Sequence, residues 1–365
     1  MLSLTCSHAW ASPAALLACT TAMSAAPLVT AAAQSTTVVA SATYVRPQQM
    51  VAIDGTRRIN LYCTGSGQPV VLLDAGAGEN MMVWRHVQRQ LAAETRVCSY
   101  DRAGYGFSDS ATGPSDAQHA VDDIHRLLRA GRIRTPIVYV GHSAAGLYGT
   151  LLVARYPGDV AGAVLVDPAV AHAEARMLAT FPPGDRAKLT NFYAGVLTVL
   201  RQCLALARAG ALVQLATPEA MACVDTKGYR DAIDDTLRRE LARQYAQPKL
   251  MAAALSEYGS VWPGTDLTSV NSRQIDATRG GFGDRPLIVL AHDGSNDSPP
   301  PGFSAAQQAT FESIRMTELK ALASTSSQGT VAIVPHSAHH IQFDQPDSVV
   351  AAVRRVVASV RHRAR

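Results

Sequence analysis

The sequence lacks charge where it begins: the first 45 of its 365 residues contain no Lys, Arg, Asp or Glu. This segment is rich in Ala, Ser and Thr, with a short apolar run at Ala14–Ala18 and the small-residue stretch Ala31–Ala33. Small residues of this kind precede signal-peptidase cleavage sites, although the positively charged start of a signal peptide is missing. We expect a signal peptide at 1–33, a disordered linker at 34–45 and export to the periplasm or the medium, with an uncleaved tail as the alternative.

The sequence also lacks long apolar runs, clusters of one charge and internal repeats. No run reaches the roughly 18 apolar residues of a membrane span, so we expect no stable span. The net charge is only +4, and the terminal basic cluster Arg361–Arg365 is typical of a solvated tail, so no nucleic-acid partner is indicated. With 47% apolar and 17% charged residues, the composition is that of a globular enzyme rather than a disordered chain.

Cysteine is scarce, and two of the six cysteines lie in the predicted leader. Cys63, Cys98, Cys203 and Cys223 would remain in the exported protein. An even number of cysteines in such a protein predicts two disulfides, but the spacing alone leaves their connectivity open.

Short apolar runs alternate with helical patterns in the first part of the chain. This alternation predicts an α/β fold with a parallel sheet and helices on both faces. Strand patterns then stop, and the chain reads as helices until strand patterns resume near its end. We therefore expect a core built from 46–168 and 285–365, interrupted by a helical cap at 169–284, where a lid would cover a site.

The stretch Pro136–Gly146 predicts a strand, a sharp turn and a helix. Ser143 lies at the turn, with Gly141 two residues before it and Ala145 two residues after it. A serine in such a turn is held in strained backbone geometry, and its side chain projects from the carboxyl edge of the sheet. The usual pattern has Gly in the second place, so Ala145 is a mild departure. Ser143 is the expected nucleophile.

A serine nucleophile needs an imidazole to take its proton and a carboxylate to orient that imidazole. After the last predicted strand the chain has three histidines close together, His336, His339 and His340. Such a cluster could hold a metal, but no further carboxylate or cysteine is spaced to complete a metal site. We therefore expect neither a metal nor a cofactor.

These motifs resemble the α/β-hydrolase superfamily, and most of all a bacterial branch with a Tyr-Asp-Arg-Ala-Gly-Tyr-Gly loop, a Gly-His-Ser elbow and an Ile-Gln-x-Asp-Gln-Pro tail. In this chain the three motifs are Tyr100–Gly106, Gly141–Ser143 and Ile341–Pro346. The resemblance implies a mostly parallel eight-stranded sheet. It also implies that His339 is the catalytic base, with His340 as the alternative.

The resemblance leaves the catalytic acid open. Many relatives place it after the strand at Pro286–Ala291, where this chain has Asp293 and Asp297. The branch that this chain most resembles often has no carboxylate there. Its acid follows the strand after the nucleophile helix, which is the position of Asp167. We expect Asp167, with Asp297 and Asp293 as alternatives.

Two backbone N–H groups are needed to stabilise the oxyanion of a tetrahedral intermediate. One is expected from Ala144, directly after the nucleophile, where the helix N-terminus adds its dipole. The resemblance places the other at Ala77, in the glycine-rich loop Asp74–Gly78. The expected oxyanion hole is therefore Ala77 with Ala144.

The resemblance also implies how the cysteines pair. In the superfamily the two strands that carry Cys63 and Cys98 usually lie side by side, which would bring these two residues together. Cys203 and Cys223 would then pair inside the cap.

The sequence therefore predicts an exported serine hydrolase that cleaves an ester through an acyl-Ser143 intermediate. The expected substrate is a small-molecule ester with an apolar acyl or aryl group, and no oligomeric state is indicated. Dehalogenases and epoxide hydrolases of the superfamily use Asp where this chain has Ser143. The alternatives are an aminopeptidase or amidase with an acidic anchor such as Glu174 or Asp225, a cofactor-free haloperoxidase on the same triad, and a binding protein without turnover.

Overall fold

A computed structural model describes the chain in seven stretches. These are 41–213, 220, 223–224, 233–264, 266–278, 280–294 and 304–363. The predicted signal peptide, most of the predicted linker, and the acidic residues Asp225 and Asp297 lie outside the described residues.

Eight strands form one sheet in the order β1-β2-β4-β3-β5-β6-β7-β8. Strand β2 is antiparallel to both of its neighbours, β1 and β4, and the other pairs are parallel. This confirms the predicted α/β-hydrolase fold with its mostly parallel eight-stranded sheet. The strands are β1 (Gln49–Ala52), β2 (Arg58–Thr64), β3 (Val71–Asp74), β4 (Val97–Tyr100), β5 (Ile137–His142), β6 (Val160–Val166), β7 (Leu287–His292) and β8 (Gly329–Val334).

Helices cover both faces of the sheet, because the buried strands carry apolar side chains on each face. In β5, Tyr139 packs into the core on the side of α3 and α4, and Val140 packs into the core on the side of α2 and α12. The helices of the core are α1 (Ser41–Tyr44), α2 (Arg85–Leu91), α3 (Ala117–Ala130), α4 (Ala145–Arg155), α10 (Ala305–Ala323), α11 (Ile341–Asp344) and α12 (Pro346–Arg363).

The described residues between β6 and β7 form helices and loops, in the segment predicted as the cap. Helix α6 packs against α8, and Cys203 of α6 is bonded to Cys223. Cys63 and Cys98 are bonded across the directly paired positions of β2 and β4. Both predicted pairings are therefore confirmed. The helices of this segment are α5 (Ala173–Thr180), α6 (Pro183–Arg208), α7 (Asp235–Tyr245), α8 (Pro248–Val261) and α9 (Val270–Asp276).

Helix α6 is long and apolar enough to qualify as a candidate membrane span. Its most apolar 18-residue window has a mean hydropathy of 1.2, and 22% of that window is buried. This is weak evidence, since core helices and signal sequences satisfy the same two criteria of length and composition. The helix contains no long apolar run, because charged and polar residues interrupt it.

Candidate active site

Ser143 lies on a sharp turn between β5 and α4. Its φ angle is +53°, in the left-handed region that strains a side-chain-bearing residue. The turn needs small neighbours: a Cβ on Gly141 would lie 2.8 Å from the carbonyl oxygen of Ala145, and a Cβ on Gly146 would lie 2.3 Å from Cβ of Pro168. The glycine after Ala145 is thus required by the close approach of α4 to the segment after β6.

His339 lies between Ser143 and Asp167. Its Nε2 is 3.0 Å from Ser143 Oγ, and its Nδ1 is 2.6 Å from Asp167 Oδ2. The serine follows β5, the aspartate follows β6 and the histidine follows β8. Parallel strands end at the same edge of a sheet, which brings residues that are distant in sequence to one place.

The other candidates for base and acid lie elsewhere. Nε2 of His340 is 2.8 Å from Oε1 of Glu79. Asp293 accepts a hydrogen bond from the backbone N–H of His336 at 2.8 Å, which ties it to the turn after β8. Asp297 is outside the described residues. Of the described alternatives, Asp167 is the carboxylate in contact with His339.

Asp167 has two further partners that the sequence did not reveal. Nδ1 of His292, at the end of β7, is 2.8 Å from Asp167 Oδ2. The guanidinium of Arg315, on α10, donates to Asp167 Oδ1 at 2.9 Å. Burial raises the pKa of Asp167, but hydrogen bonds from His292 and His339 outweigh burial, so this pKa is strongly lowered. The carboxyl group is therefore ionised at neutral pH.

The same contacts shift the pKa of His339, the predicted base. Burial lowers the pKa of His339, but the hydrogen bond to Asp167 and its negative charge outweigh burial, so this pKa is raised above its usual value. A raised pKa makes the imidazole a stronger proton acceptor whenever it is neutral.

Asp167, His292 and His339 also form the one group that could hold a metal ion among the described residues. Their ligand atoms lie within 4.8 Å of one another. The guanidinium of Arg315 already lies against this carboxylate. The positive charge of Arg315 would repel a metal cation at the same place. The geometry therefore favours an ion pair of Asp167 with Arg315 over metal binding.

The loop after β3 presents the backbone of Ala77 to the same cavity as Ser143. Carboxylates hold the N–H groups on both sides of it: Gly76 donates to Glu79 at 2.6 Å, and Gly78 donates to Glu257 at 3.0 Å. The Ala77 carbonyl accepts from Tyr258 at 3.2 Å. In the described part of the chain, no acceptor takes the N–H of Ala77.

Ala144 is the first residue after the nucleophile, at the N-terminus of α4. It lines the cavity together with Ala77 and Ser143. Its N–H likewise has no acceptor among the residues that the structure describes. The two groups predicted as the oxyanion hole thus lie on one cavity wall with free N–H groups.

Glu79 connects the loop Asp74–Gly78, which is called the oxyanion loop below, to the loop that carries His339 and His340. Besides the N–H of Gly76, it contacts Nδ1 of His142 at 3.0 Å and Nε2 of His340 at 2.8 Å. The other ring nitrogen of His142 lies 3.0 Å from the carbonyl oxygen of His339. Burial raises the pKa of Glu79, but the two histidines outweigh burial and hold this pKa well below its usual value.

A second buried network, of ion pairs and hydrogen bonds around Arg102, also supports the oxyanion loop. Arg102 is ion-paired with Asp74 and with Glu257 at 2.9 Å each. It also donates to the carbonyl groups of Ala75 and Gly76. Arg102 therefore braces this loop through both its charge and its hydrogen bonds. Glu257 belongs to α8, so the network also joins the helices between β6 and β7 to the core.

Two cavities meet at this site. The one that contains Ser143 and His339 has a volume of about 430 Å³. A neighbouring cavity of about 310 Å³ lies beneath α6 and α8 and reaches the Cys203–Cys223 disulfide. The two cavities share four lining residues, which are Ala77, Glu79, Tyr258 and His340. Both volumes fall within the range of small-molecule sites.

Comparison with known proteins agrees with the geometry. A sequence model of the alpha/beta hydrolase family matches residues 70–353. A thermophilic esterase from Thermogutta terrifontis is 19% identical with a TM-score of 0.54, and the match covers 86% of this chain and 99% of that one. A putative epoxide hydrolase from Pseudomonas aeruginosa is 17% identical with a TM-score of 0.58, over 87% and 98% of the two chains.

The curated relatives match over shorter stretches. The probable transporter efuK of Hormonema carpetanum is 35% identical over 131 residues, which are 34% of this chain and 19% of that protein. The chain spans less than half of the length of the first curated relatives that it matches.

Proposed function

Because the chain belongs to the alpha/beta hydrolase family over residues 70–353, we propose that it is a serine hydrolase that cleaves a carboxylic ester through an acyl-Ser143 intermediate. The observation that carries the proposal is the position of His339. Its two ring nitrogens lie 3.0 Å from Ser143 Oγ and 2.6 Å from Asp167 Oδ2. An imidazole in this position can take the serine proton while the carboxylate fixes its tautomer.

In the first half of the proposed reaction, Nε2 of His339 takes the proton of Ser143 as Oγ bonds to the ester carbonyl carbon. The N–H groups of Ala77 and Ala144 receive the oxyanion. Asp167 stabilises the imidazolium and stays ionised. The carbon–oxygen bond to the leaving group then breaks, and the departing alkoxide takes the proton from Nε2 and leaves as the alcohol.

In the second half, water replaces the alcohol. His339 takes a proton from the water as its oxygen bonds to the acyl carbon. The bond to Ser143 Oγ then breaks, and Oγ recovers its proton from Nε2. The products are a carboxylic acid and the free enzyme.

The same geometry bears on the epoxide hydrolase neighbours. The sequence resemblance implies that epoxide hydrolases use an aspartate at the nucleophile position. This chain has Ser143 there, with His339 within hydrogen-bonding distance. An activated serine adds to an acyl carbon, so an ester fits these residues better than an epoxide.

The walls of the two cavities support an apolar group on the substrate. Around Ser143 the apolar lining includes Val170, Met177, Val261 and Phe311. The neighbouring cavity is lined by residues such as Val83, Val199, Leu200, Leu250 and Met251. An acyl or aryl group would be removed from water in either place, which favours binding by about 25 cal/mol for each Å² of apolar surface buried.

Two further parts of the proposal concern domains and location. We assign the helical segment 169–284 as the cap over the site, since Tyr258 and Glu257 of α8 contact the oxyanion loop. The two disulfides support export, because disulfides persist in oxidising compartments.

The test is hydrolysis of 4-nitrophenyl esters from acetate to octanoate, together with labelling by a fluorophosphonate. We expect turnover and labelling in the wild type, and neither in Ser143→Ala. An unlabelled wild type that hydrolyses no ester would exclude the proposal and favour a binding protein. Turnover of amides or peroxidation at higher rates than esters would select one of the other reactions of the same triad.

A further inference from the structure

We propose that Glu174 binds a protonated amine on the substrate and thereby determines its specificity. This inference rests on the proposed ester hydrolysis and adds the chemical class of the substrate. The described lining of the cavity that contains Ser143 offers an anionic group and aromatic rings, and its nearby guanidinium groups, Arg176 and Arg315, are ion-paired with other carboxylates.

Glu174 lies in the first turn of α5, shortly after Asp167 in the chain. It lines the cavity of about 430 Å³ together with Ser143 and His339. A group held by its carboxylate would therefore share a cavity with the reacting ester.

The other carboxylates that line this cavity have partners of opposite or switchable charge. Glu79 contacts His142 and His340, Asp167 contacts Arg315, and Glu318 is ion-paired with Arg176. The negative charge of each of these three carboxylates is therefore already compensated. In contrast, no side chain in the described part of the chain donates a hydrogen bond to Glu174 or forms an ion pair with it.

The charges on the wall are therefore unequal. Glu174 and Glu318 both line the cavity, while Arg176 is the guanidinium bound to Glu318. Arg315, the one Lys or Arg among the described lining residues, is held by Asp167 and Glu312. Burial raises the pKa of Glu174 to about 7; the charge of Glu318 adds to this effect, and the charge of Arg176 opposes it. A carboxylate that is partly removed from water gains from a ligand that brings a positive charge.

Aromatic rings complete the site. Trp262 and Tyr258 line the same cavity, and their ring centroids are 4.9 Å apart. Tyr193 stacks on Trp262 at 4.9 Å. Burial raises the pKa of Tyr193, and the charge of Glu174 raises it further, which places this ring within electrostatic reach of the carboxylate. A cavity lined by a carboxylate and by aromatic rings suits an ammonium group, which both attract.

The experiment compares pairs of 4-nitrophenyl esters in which an ammonium group replaces a methyl group of similar size. The pairs are 3-aminopropanoate with butanoate, and 6-aminohexanoate with heptanoate, each corrected for spontaneous hydrolysis. Such alkyl amines titrate near the value of lysine, about 10.4, and stay protonated at the assay pH. We expect kcat/KM at pH 8 to favour the ammonium ester about tenfold in at least one pair.

The variant Glu174→Gln should abolish this preference and leave kcat/KM for the methyl esters within about twofold. The matched control is Asp235→Asn, at an exposed position on α7, and this variant should retain the preference for the ammonium ester. In the wild type the preference should grow as pH rises from 6 to 8, because Glu174 becomes ionised above its pKa of about 7. The preference in Glu174→Gln should not depend on pH.

A titration without turnover separates this proposal from the esterase proposal. Pentylammonium chloride should change the tryptophan fluorescence of the wild type but not of Glu174→Gln, whereas pentanol should not distinguish the two proteins. Binding of pentylammonium with no preference in the acyl pairs would place the amine on the alcohol side of the substrate. Absence of both effects would overturn the proposal, even if the wild type hydrolyses simple esters.

Discussion

Replacement of Asp167 by Asn tests both the identity of the acid and its effect on the base. Asp167 Oδ2 lies 2.6 Å from Nδ1 of His339. An asparagine can turn its NH₂ group towards this nitrogen, which leaves the ring proton on Nε2, facing Ser143. That tautomer cannot accept the serine proton. We expect kcat/KM to fall by about 10⁴, which corresponds to about 5.5 kcal/mol of transition-state stabilisation.

The pH dependence of kcat/KM gives an independent test of the same assignment. A general base must be neutral to act, so the wild-type kcat/KM should fall as pH decreases through the raised pKa of His339. In Asp167→Asn the burial that lowers this pKa remains, while the hydrogen bond and the charge that raise it are lost. The acid limb of the residual activity should therefore move to lower pH, below the usual value of about 6.5.

The assay is 4-nitrophenyl butyrate hydrolysis between pH 5 and 9, with Ser143→Ala as the background. The melting temperature of Asp167→Asn should fall only modestly, because Arg315 keeps Glu312 as a partner at 2.7 Å. Asp293→Asn serves as the comparison, since Asp293 holds the backbone of His336. Near-normal activity and an unshifted acid limb in Asp167→Asn would refute the assignment and return the acid to Asp297 or Asp293.

Three other variants test the surroundings of the site. Glu79→Gln should lower kcat tenfold or more with little change in KM, because the loss of one charge-assisted hydrogen bond costs about 1.5–3 kcal/mol and loosens the oxyanion loop; an unchanged kcat would argue against this role. Glu257→Gln should lower the melting temperature, since removal of one partner from a buried ion pair costs about 3–5 kcal/mol, and circular dichroism would detect it. The double change Cys203→Ser and Cys223→Ser should also lower it, by an amount that matches about 3 kcal/mol for a loop of 20 residues. A melting temperature equal to that of the wild type would contradict either of the last two expectations.

Local sequence patterns predicted most of the fold, because each strand and helix of the core depends on residues that are close in sequence. The spacing of apolar residues predicts helix α3 over Ala117–Ala130, and the structure has these bounds, since Asp116 caps its start and Gly131 follows its end. Helix α6 differs: its apolar residues by themselves predict a helix over Phe192–Leu215, whereas the structure has Pro183–Arg208. Proline at its start and Gly210, with a φ angle of +72°, after its end were the available signals.

Some residues of the candidate site can be predicted from local sequence, and others cannot. Ser143 and His339 belong to short sequence motifs, and these motifs predicted them. Glu257 could not be found in this way, because its partners Gly78 and Arg102 are more than 150 residues away in the chain. Its contacts depend on how the inserted helices dock on the core, which no local pattern encodes.

His292 and Arg315 account for a proposed acid at the end of β6. In many relatives, by the sequence resemblance, the end of β7 supplies the carboxylate, and in this chain that strand ends in His292. The ring of His292 approaches Asp167 Oδ2, while Arg315 holds Oδ1. The carboxylate therefore has two partners besides His339, one of which is always charged.

This arrangement separates the charge of the acid from the state of the base. During the proposed reaction His339 alternates between neutral imidazole and imidazolium. If His339 alone stabilised the carboxylate, the ionisation of Asp167 would depend on each proton transfer. The fixed charge of Arg315 and the contact with His292 remain through both states, so Asp167 stays ionised and presents the same acceptor to Nδ1 throughout. In the proposed mechanism, β6 thus supplies the acid and the end of β7 supports it.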